Sequence, residues 1–181
     1  MDFFNLGKIS TLKATSYDDA HDEYMTDSQL LVTNFDDVKT DYMNKLGLSE
    51  EKAHSVDAFA RGKDNLFYMI EFKNGNCKTE AAKINLKIRD SLLILCDMCH
   101  KTLKNTRNNL IFVLVYNSSR TDFNSLDKVA IARANKSKVD CPKFELDKVE
   151  GSFVKKVLIF DIDEFASKIL PKLTNIWQSS R

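Results

Sequence analysis

Glycine and proline are scarce in this chain, with five Gly and two Pro among 181 residues. That scarcity excludes collagen-like repeats and long flexible linkers, and Gly62 and Gly75 stand alone as turn residues, not as a glycine-rich phosphate loop. Long apolar runs are missing too. The longest, Leu110 to Tyr116, falls far short of the roughly twenty residues a membrane span needs. Met1-Asp2-Phe3-Phe4 has neither the basic region nor the apolar stretch of a signal peptide, so a cytoplasmic location with no membrane partner is expected. There is no Gly-x-Ser-x-Gly elbow, and the three histidines are scattered, which gives no support to a nucleophilic triad. The twelve Phe fall mostly at strand or helix spacing and read as core, not as a base-stacking platform.

Cysteine is sparse as well, and its one pattern needs an account. Cys96-Asp97-Met98-Cys99-His100 fits covalent haem attachment by spacing. It sits at the end of an expected buried helix in a chain read as cytoplasmic, where such attachment does not belong. Zinc would need a fourth ligand, and Cys77, Cys141, His21 and His54 have no ligand spacing. Free, partly buried thiols are the expectation.

What is present suits one globular α/β domain, at 43% hydrophobic and 29% charged residues. The net charge is only +1, but residues 1 to 60 carry −7, which leaves +8 for the remainder. The reading divides the chain into an acidic arm over 1–27, a single domain over 28–170 and a tail over 171–181. Leu31, Phe35, Val38, Tyr42 and Leu46 recur at helical spacing, with Thr33 or Asn34 as cap and Gly47 as terminator. Residues 80–100 predict a long helix capped by Thr79, with Ile84, Ile88, Leu92, Leu95 and Cys99 as its core stripe and Lys83, Lys87 and Asp90 on another face. Leu110 to Tyr116 reads as a strand covered on both faces. Asp127 to Ala134 reads as a short helix, Phe153 to Phe160 as a strand, and Asp161 or Asp163 as the cap of a closing helix that Pro171 ends. Trp177 follows in the tail.

The informative stretch is Ser55 to Gly75. Two apolar segments flank a turn rich in Gly, Asp and Asn, the signal for a β-hairpin. Side chains alternate along a strand, so Phe67, Met69, Glu71 and Lys73 share one face. If the hairpin folds symmetrically about Asp64, Asp57 lies opposite Glu71 on that face. Two acids held that close repel unless a cation or a proton sits between them, which suits a divalent-metal site.

An Asp, then an apolar strand ending in Glu71-Phe72-Lys73, then a helix, resembles the PD-(D/E)XK nuclease superfamily, with Val56 where the family name has Pro. The resemblance spans roughly residues 28 to 170. It implies a small mixed β-sheet flanked by helices, with the restriction-endonuclease-like α-β-β-α-β core. It further implies metal-dependent hydrolysis of phosphodiester bonds, in DNA more than RNA, by an endonuclease or exonuclease. Asp57, Glu71 and the Phe72 main-chain carbonyl would bind Mg²⁺ or Mn²⁺, and Lys73 would act on the attacking water. The helix before the hairpin sometimes adds an acid in such nucleases. Asp37 and Asp41 are the candidates by shared face, with Asp41 carried forward as a metal ligand, while Glu50 and Glu51 are nearer in sequence. The helix after the hairpin would supply a phosphate-binding residue, Lys87 first and Lys83 second. The alternative is a non-catalytic binding protein on the same scaffold, an immunity or antitoxin-like protein whose acidic N-terminal half binds a basic toxin.

Overall fold

The computed structural model describes residues 6–75, 80–121, 125–136 and 146–176. In chain order its strands are β1 (Ile9–Thr11), β2 (Tyr17–Asp18), β3 (Glu23–Tyr24), β4 (Leu31–Asn34), β5 (Ala58–Gly62), β6 (Phe67–Lys73), β7 (Leu110–Tyr116), β8 (Lys156–Asp161) and β9 (Leu173–Thr174). The helices are α1 (Leu12–Thr15), α2 (Phe35–Lys45), α3 (Ala81–Met98), α4 (Leu103–Asn109), α5 (Ser125–Lys136) and α6 (Ile162–Lys168). Seven strands form one mixed sheet in the order β1-β4-β5-β6-β7-β8, with β9 joined to β5. Pairing is antiparallel from β1 to β6 and parallel from β6 to β8. The architecture is therefore α/β, as expected. No helix among the described residues is long and apolar enough to cross a membrane.

Both faces of the sheet are covered. On one, Phe35 and Val38 of α2 and Ile84, Ile88 and Leu92 of α3 pack with Phe59, Met69, Phe112 and Ile159. On the other, Leu12, Phe165 and Ile169 pack with Ala60, Ile70, Val113 and Phe160. A strand covered twice has no polar face, and all seven residues of β7 are buried accordingly.

Several expectations shift. Leu31 to Thr33 belong to a strand, not to the start of a helix. Leu31 is exposed while Val32 and Thr33 are both buried, and Asn34 then caps α2 by accepting from the amides of Asp36 and Asp37. The helix ends as expected at Gly47, whose φ of 68° suits glycine. Within the acidic N-terminal segment, the described residues 6–27 contribute to the sheet and its core. β1 pairs with β4, and Leu6, Leu12 and Met25 are buried. Helix α3 spans Ala81–Met98, and a second helix, α4, follows on a capping box between Thr102 and Asn105. The strand expected from Phe153 begins at Lys156, and α6 is capped by Asp161. Thr79 and Trp177 lie outside the described residues.

The hairpin turn is tight at Gly62. A Cβ there would meet the Asp64 carboxylate and lie 2.6 Å from Cε2 of Tyr68, a side chain only 2% exposed. Gly62→Ala is accordingly expected to lower stability by about 1–3 kcal/mol in urea unfolding, with the slope of the transition unchanged.

Candidate functional site

The β5–β6 register is the symmetric one. Ala58 faces Ile70, Phe59 faces Met69, Ala60 faces Tyr68 and Arg61 faces Phe67. Asp57, one residue before β5, continues that register to the level of Glu71. Its backbone and side chain are both engaged: the carbonyl accepts from the Phe35 amide at 3.1 Å, and Oδ2 accepts from the Phe72 amide at 2.6 Å. Glu71 lies in the middle of β6, with its side chain only 1% exposed.

Helix α3 fastens the segment that carries Asp57. Asp90 Oδ2 accepts from the His54 amide at 2.8 Å, and Ser91 Oγ accepts from the Val56 amide at 3.0 Å. Lys87, one turn earlier, places Nζ 2.6 Å from Glu71 Oε1 and 3.3 Å from Asp57 Oδ1. Residues 87, 90 and 91 share one helix face, so three successive contacts run along 54 to 57. A proline at position 56 would have no N–H to give Ser91, so this bond requires a residue with a free amide there.

Two carboxylates and one ammonium thus meet in a poorly solvated spot. Burial pushes the Asp57 carboxyl up against the pull of Lys87. Burial and then the neighbouring Asp57 push Glu71 up to about 8. Burial alone would lower Lys87, but Asp57 and Glu71 outweigh it and hold its ammonium above the ordinary lysine range. Two acids against one lysine leave one excess negative charge, and a proton on the pair neutralises it near pH 7. The second oxygen of Glu71, Oε2, is buried and has no hydrogen-bond partner.

The other expected residues fall in different places. Lys73 shares the Glu71 face, and its Nζ is paired with Glu80 at the start of α3. Phe72 gives its amide to Asp57 and packs its ring edge-on against Phe165 on the opposite face. Lys83 is exposed on α3. Asp41 is not brought to the acids: it pairs with Lys8 at 2.8 Å, and Asp37 acts on the same lysine. The two do share a face, but it is the Lys8 face. Glu50 accepts from Thr40. The acid of α2 whose charge reaches Asp57 and Lys87 is Asp36, which accepts a short hydrogen bond from Ser55 Oγ. Its signal in the sequence was Asn34 as cap, which sets Asp36 in the first turn beside the incoming strand.

A cleft of about 200 Å³ opens at the carboxyl end of β6, lined by Asp57, Phe72, Lys73, Asn74 and Glu80. Its remaining wall comes from residues 16–25, including Tyr17, Asp18 and His21. A polar chain that is buried at Asn74 and reaches the surface at Arg120 holds that wall in place. Asn117 donates to Asn74 at 2.8 Å, Asn74 donates to Glu23 at 2.6 Å, and Glu23 pairs with Arg120 at 3.1 Å.

Cys96 and Cys99 are free and partly buried, and burial pushes both thiols up, Cys99 to about 11. They are protonated and unreactive near pH 7. Cys77 and Cys141 lie outside the described residues. Among the described residues no group of three or more His, Cys, Asp or Glu is arranged to hold a metal ion. Comparison with protein-family models, with curated proteins and with solved structures finds no match to the chain.

Removing the ammonium would leave two buried acids unbalanced. Lys87→Met is expected to cost on the order of 3–5 kcal/mol at pH 8. The Glu71 pKa, raised in the fold from 4.5 to about 8, contributes stability that is complete below 4.5 and lost as pH rises through 8. The deficit of the variant should therefore shrink as pH falls toward 4.5, which urea titrations at several pH values would show.

Proposed function

We propose that the chain is a metal-dependent nuclease of the PD-(D/E)XK type, hydrolysing phosphodiester bonds, with DNA the favoured substrate. One observation carries the reading. Asp57 and Glu71, carried by one hairpin, converge on Lys87 beside a cleft that Asp57 and Lys73 line, and Glu71 keeps a buried oxygen without a partner. A cleft outside the carboxyl ends of parallel strands is where open α/β sheets bind ligands. The succession α2, β5, β6, α3, β7 also follows the α-β-β-α-β order of that superfamily. A cytoplasmic setting goes with this reading, since Cys96 and Cys99 are free thiols.

The donor set fits Mg²⁺ or Mn²⁺. Mg²⁺ is commonly held by one or two carboxylates and keeps several waters, so Asp57, Glu71 and the Phe72 carbonyl suffice without a third acid. Held there, such an ion would supply Lewis acidity toward the scissile phosphate and toward a water. Lys73, released from Glu80, would orient that water or stabilise the charge that develops at phosphorus. Lys87 takes a role other than phosphate binding here: its ammonium holds Asp57 and Glu71 at one point. The cleft is smaller than the roughly 300–1,000 Å³ of drug-sized sites, which suits a phosphate with its flanking atoms.

A second reading has its own support. The charges of the site are already paired internally, Lys87 with both acids and Lys73 with Glu80, as in a scaffold that binds without cutting. Its partner would be a basic protein that meets the acidic N-terminal residues.

Purified protein incubated with single-stranded, duplex and branched DNA and with RNA, in Mg²⁺ or Mn²⁺, separates the two. Cleavage should fall by about 10²-fold or more in both Glu71→Ala and Lys73→Ala. Either metal should stabilise the parent protein by about 2.7 kcal/mol at a hundredfold excess over its Kd, and Glu71→Ala should abolish the effect. No cleavage together with no metal-dependent stabilisation would sink the nuclease reading and favour the binding one.

A further inference from the structure

The cleft has a wall that the nuclease reading leaves idle. Residues 16–25 bring an imidazole, His21, into the same space as Asp57 and Lys73. His21 is held by Asp18, whose Oδ2 lies 2.5 Å from Nδ1 of the ring, while the His21 amide donates to the Asp18 carbonyl at 3.2 Å. The other carboxylate oxygen accepts from the Ala20 amide at 3.1 Å. Burial opposes ionisation of Asp18, but hydrogen bonds from His21 and Asn74 outweigh it and keep the carboxyl below its ordinary range. An ionised carboxylate can only accept, so Nδ1 carries the proton of that bond. Nε2 is then the ring atom available to whatever enters the cleft.

This is the arrangement of an oriented acid–base residue: an imidazole whose tautomer is fixed by a carboxylate, in a cleft with candidate reacting groups. Phosphodiester hydrolysis needs such a group on the leaving side, because a sugar alkoxide is a poor leaving group unless it gains a proton. We propose that His21, positioned by Asp18, is the general acid that protonates the departing sugar oxygen. This rests on the nuclease reading. A water oxygen forms the new bond to phosphorus and loses a proton to solvent. The bond from phosphorus to the sugar oxygen breaks, that oxygen takes the proton from Nε2 of the imidazolium, and the ring is reprotonated from solvent. Asp18 is a positioning residue and never touches substrate. The charged groups that line the cleft with the ring are Asp18 on β2 and, across from it, Asp57, Lys73 and Glu80.

The test varies the leaving group. A p-nitrophenolate departs without needing a proton, so His21→Gln should separate the two kinds of diester. With Mg²⁺ or Mn²⁺, cleavage of a DNA oligonucleotide should slow by about 10²-fold or more in His21→Gln, while cleavage of thymidine 5′-p-nitrophenyl phosphate falls by about threefold or less. Asp18→Asn should shift the ratio in the same direction. Glu71→Gln should reduce both reactions alike. Equal loss on both substrates in His21→Gln, or no loss on either, overturns the role of His21 while leaving Glu71-dependent cleavage standing. If the unaltered protein cleaves neither substrate, the nuclease reading fails and this inference falls with it. His21 lies on an exposed turn, so its exchange does not threaten the core.

Discussion

Two carboxylates side by side on one hairpin, Glu71 buried and Asp57 partly so, repel each other through a medium that screens poorly, and the hairpin holds them together with a positive charge or a proton alongside. Lys87 supplies the charge from α3, within hydrogen-bond reach of both Asp57 and Glu71. Much of the local architecture follows from that requirement. Helix α3 must lie across the hairpin at one rotation and one height, and the bonds from Asp90 to His54 and from Ser91 to Val56 set both. Such triads contribute little net stability against an apolar replacement, because desolvating the charges offsets their attraction. A largely buried charge cluster with one unsatisfied oxygen is therefore a candidate functional site.

The sequence made this cluster legible for a simple reason. A turn of Gly, Asp and Asn between two alternating segments sets the register, and register with period two decides which side chains share a face. Asp57 and Glu71 follow from that logic, whereas Lys87 is reached only through the resemblance, and as a phosphate-binding residue rather than as the counter-charge of the two acids. Leu110 to Tyr116 was equally plain, since an uninterrupted apolar strand has few other places to go. Other parts were hidden. Leu31 to Thr33 match a helical stripe and a short strand equally well, and only pairing with β1 and β5 decides between them. Asp36 was overlooked beside Asp37 and Asp41 because helical spacing says which residues share a face and not which way that face turns. The wall of residues 16–25 was invisible for a deeper reason. It is held by Asn74, Asn117 and Arg120, partners 43 or more positions apart in pairs such as Asn74 and Asn117, and no local pattern announces such contacts.

Val56 fixes the residue that follows it through its backbone and not its side chain. Its amide belongs to a buried hydrogen bond with Ser91, so the backbone at that position does a job that a proline could not. The segment before Asp57 is fixed by hydrogen bonding to a helix where a proline would fix it by restricting φ. Either route limits the freedom of the residue that carries the carboxylate.

The outer edge of β5 is shared. β4 covers its beginning at Ala58 and Phe59, and β9 covers its end at Arg61 and Gly62, with the Leu31 amide donating to Asn175 and the Ile176 amide to Leu31. The hairpin that carries both acids is thus enclosed by segments more than 100 residues apart in the chain. During synthesis that edge stays half open until the last described strand emerges, long after the hairpin itself can form. The β4–β9 seam closes a loop of high contact order, which makes it a late and slow event. Until then the nascent chain exposes an unpaired strand end beside its most highly charged interior.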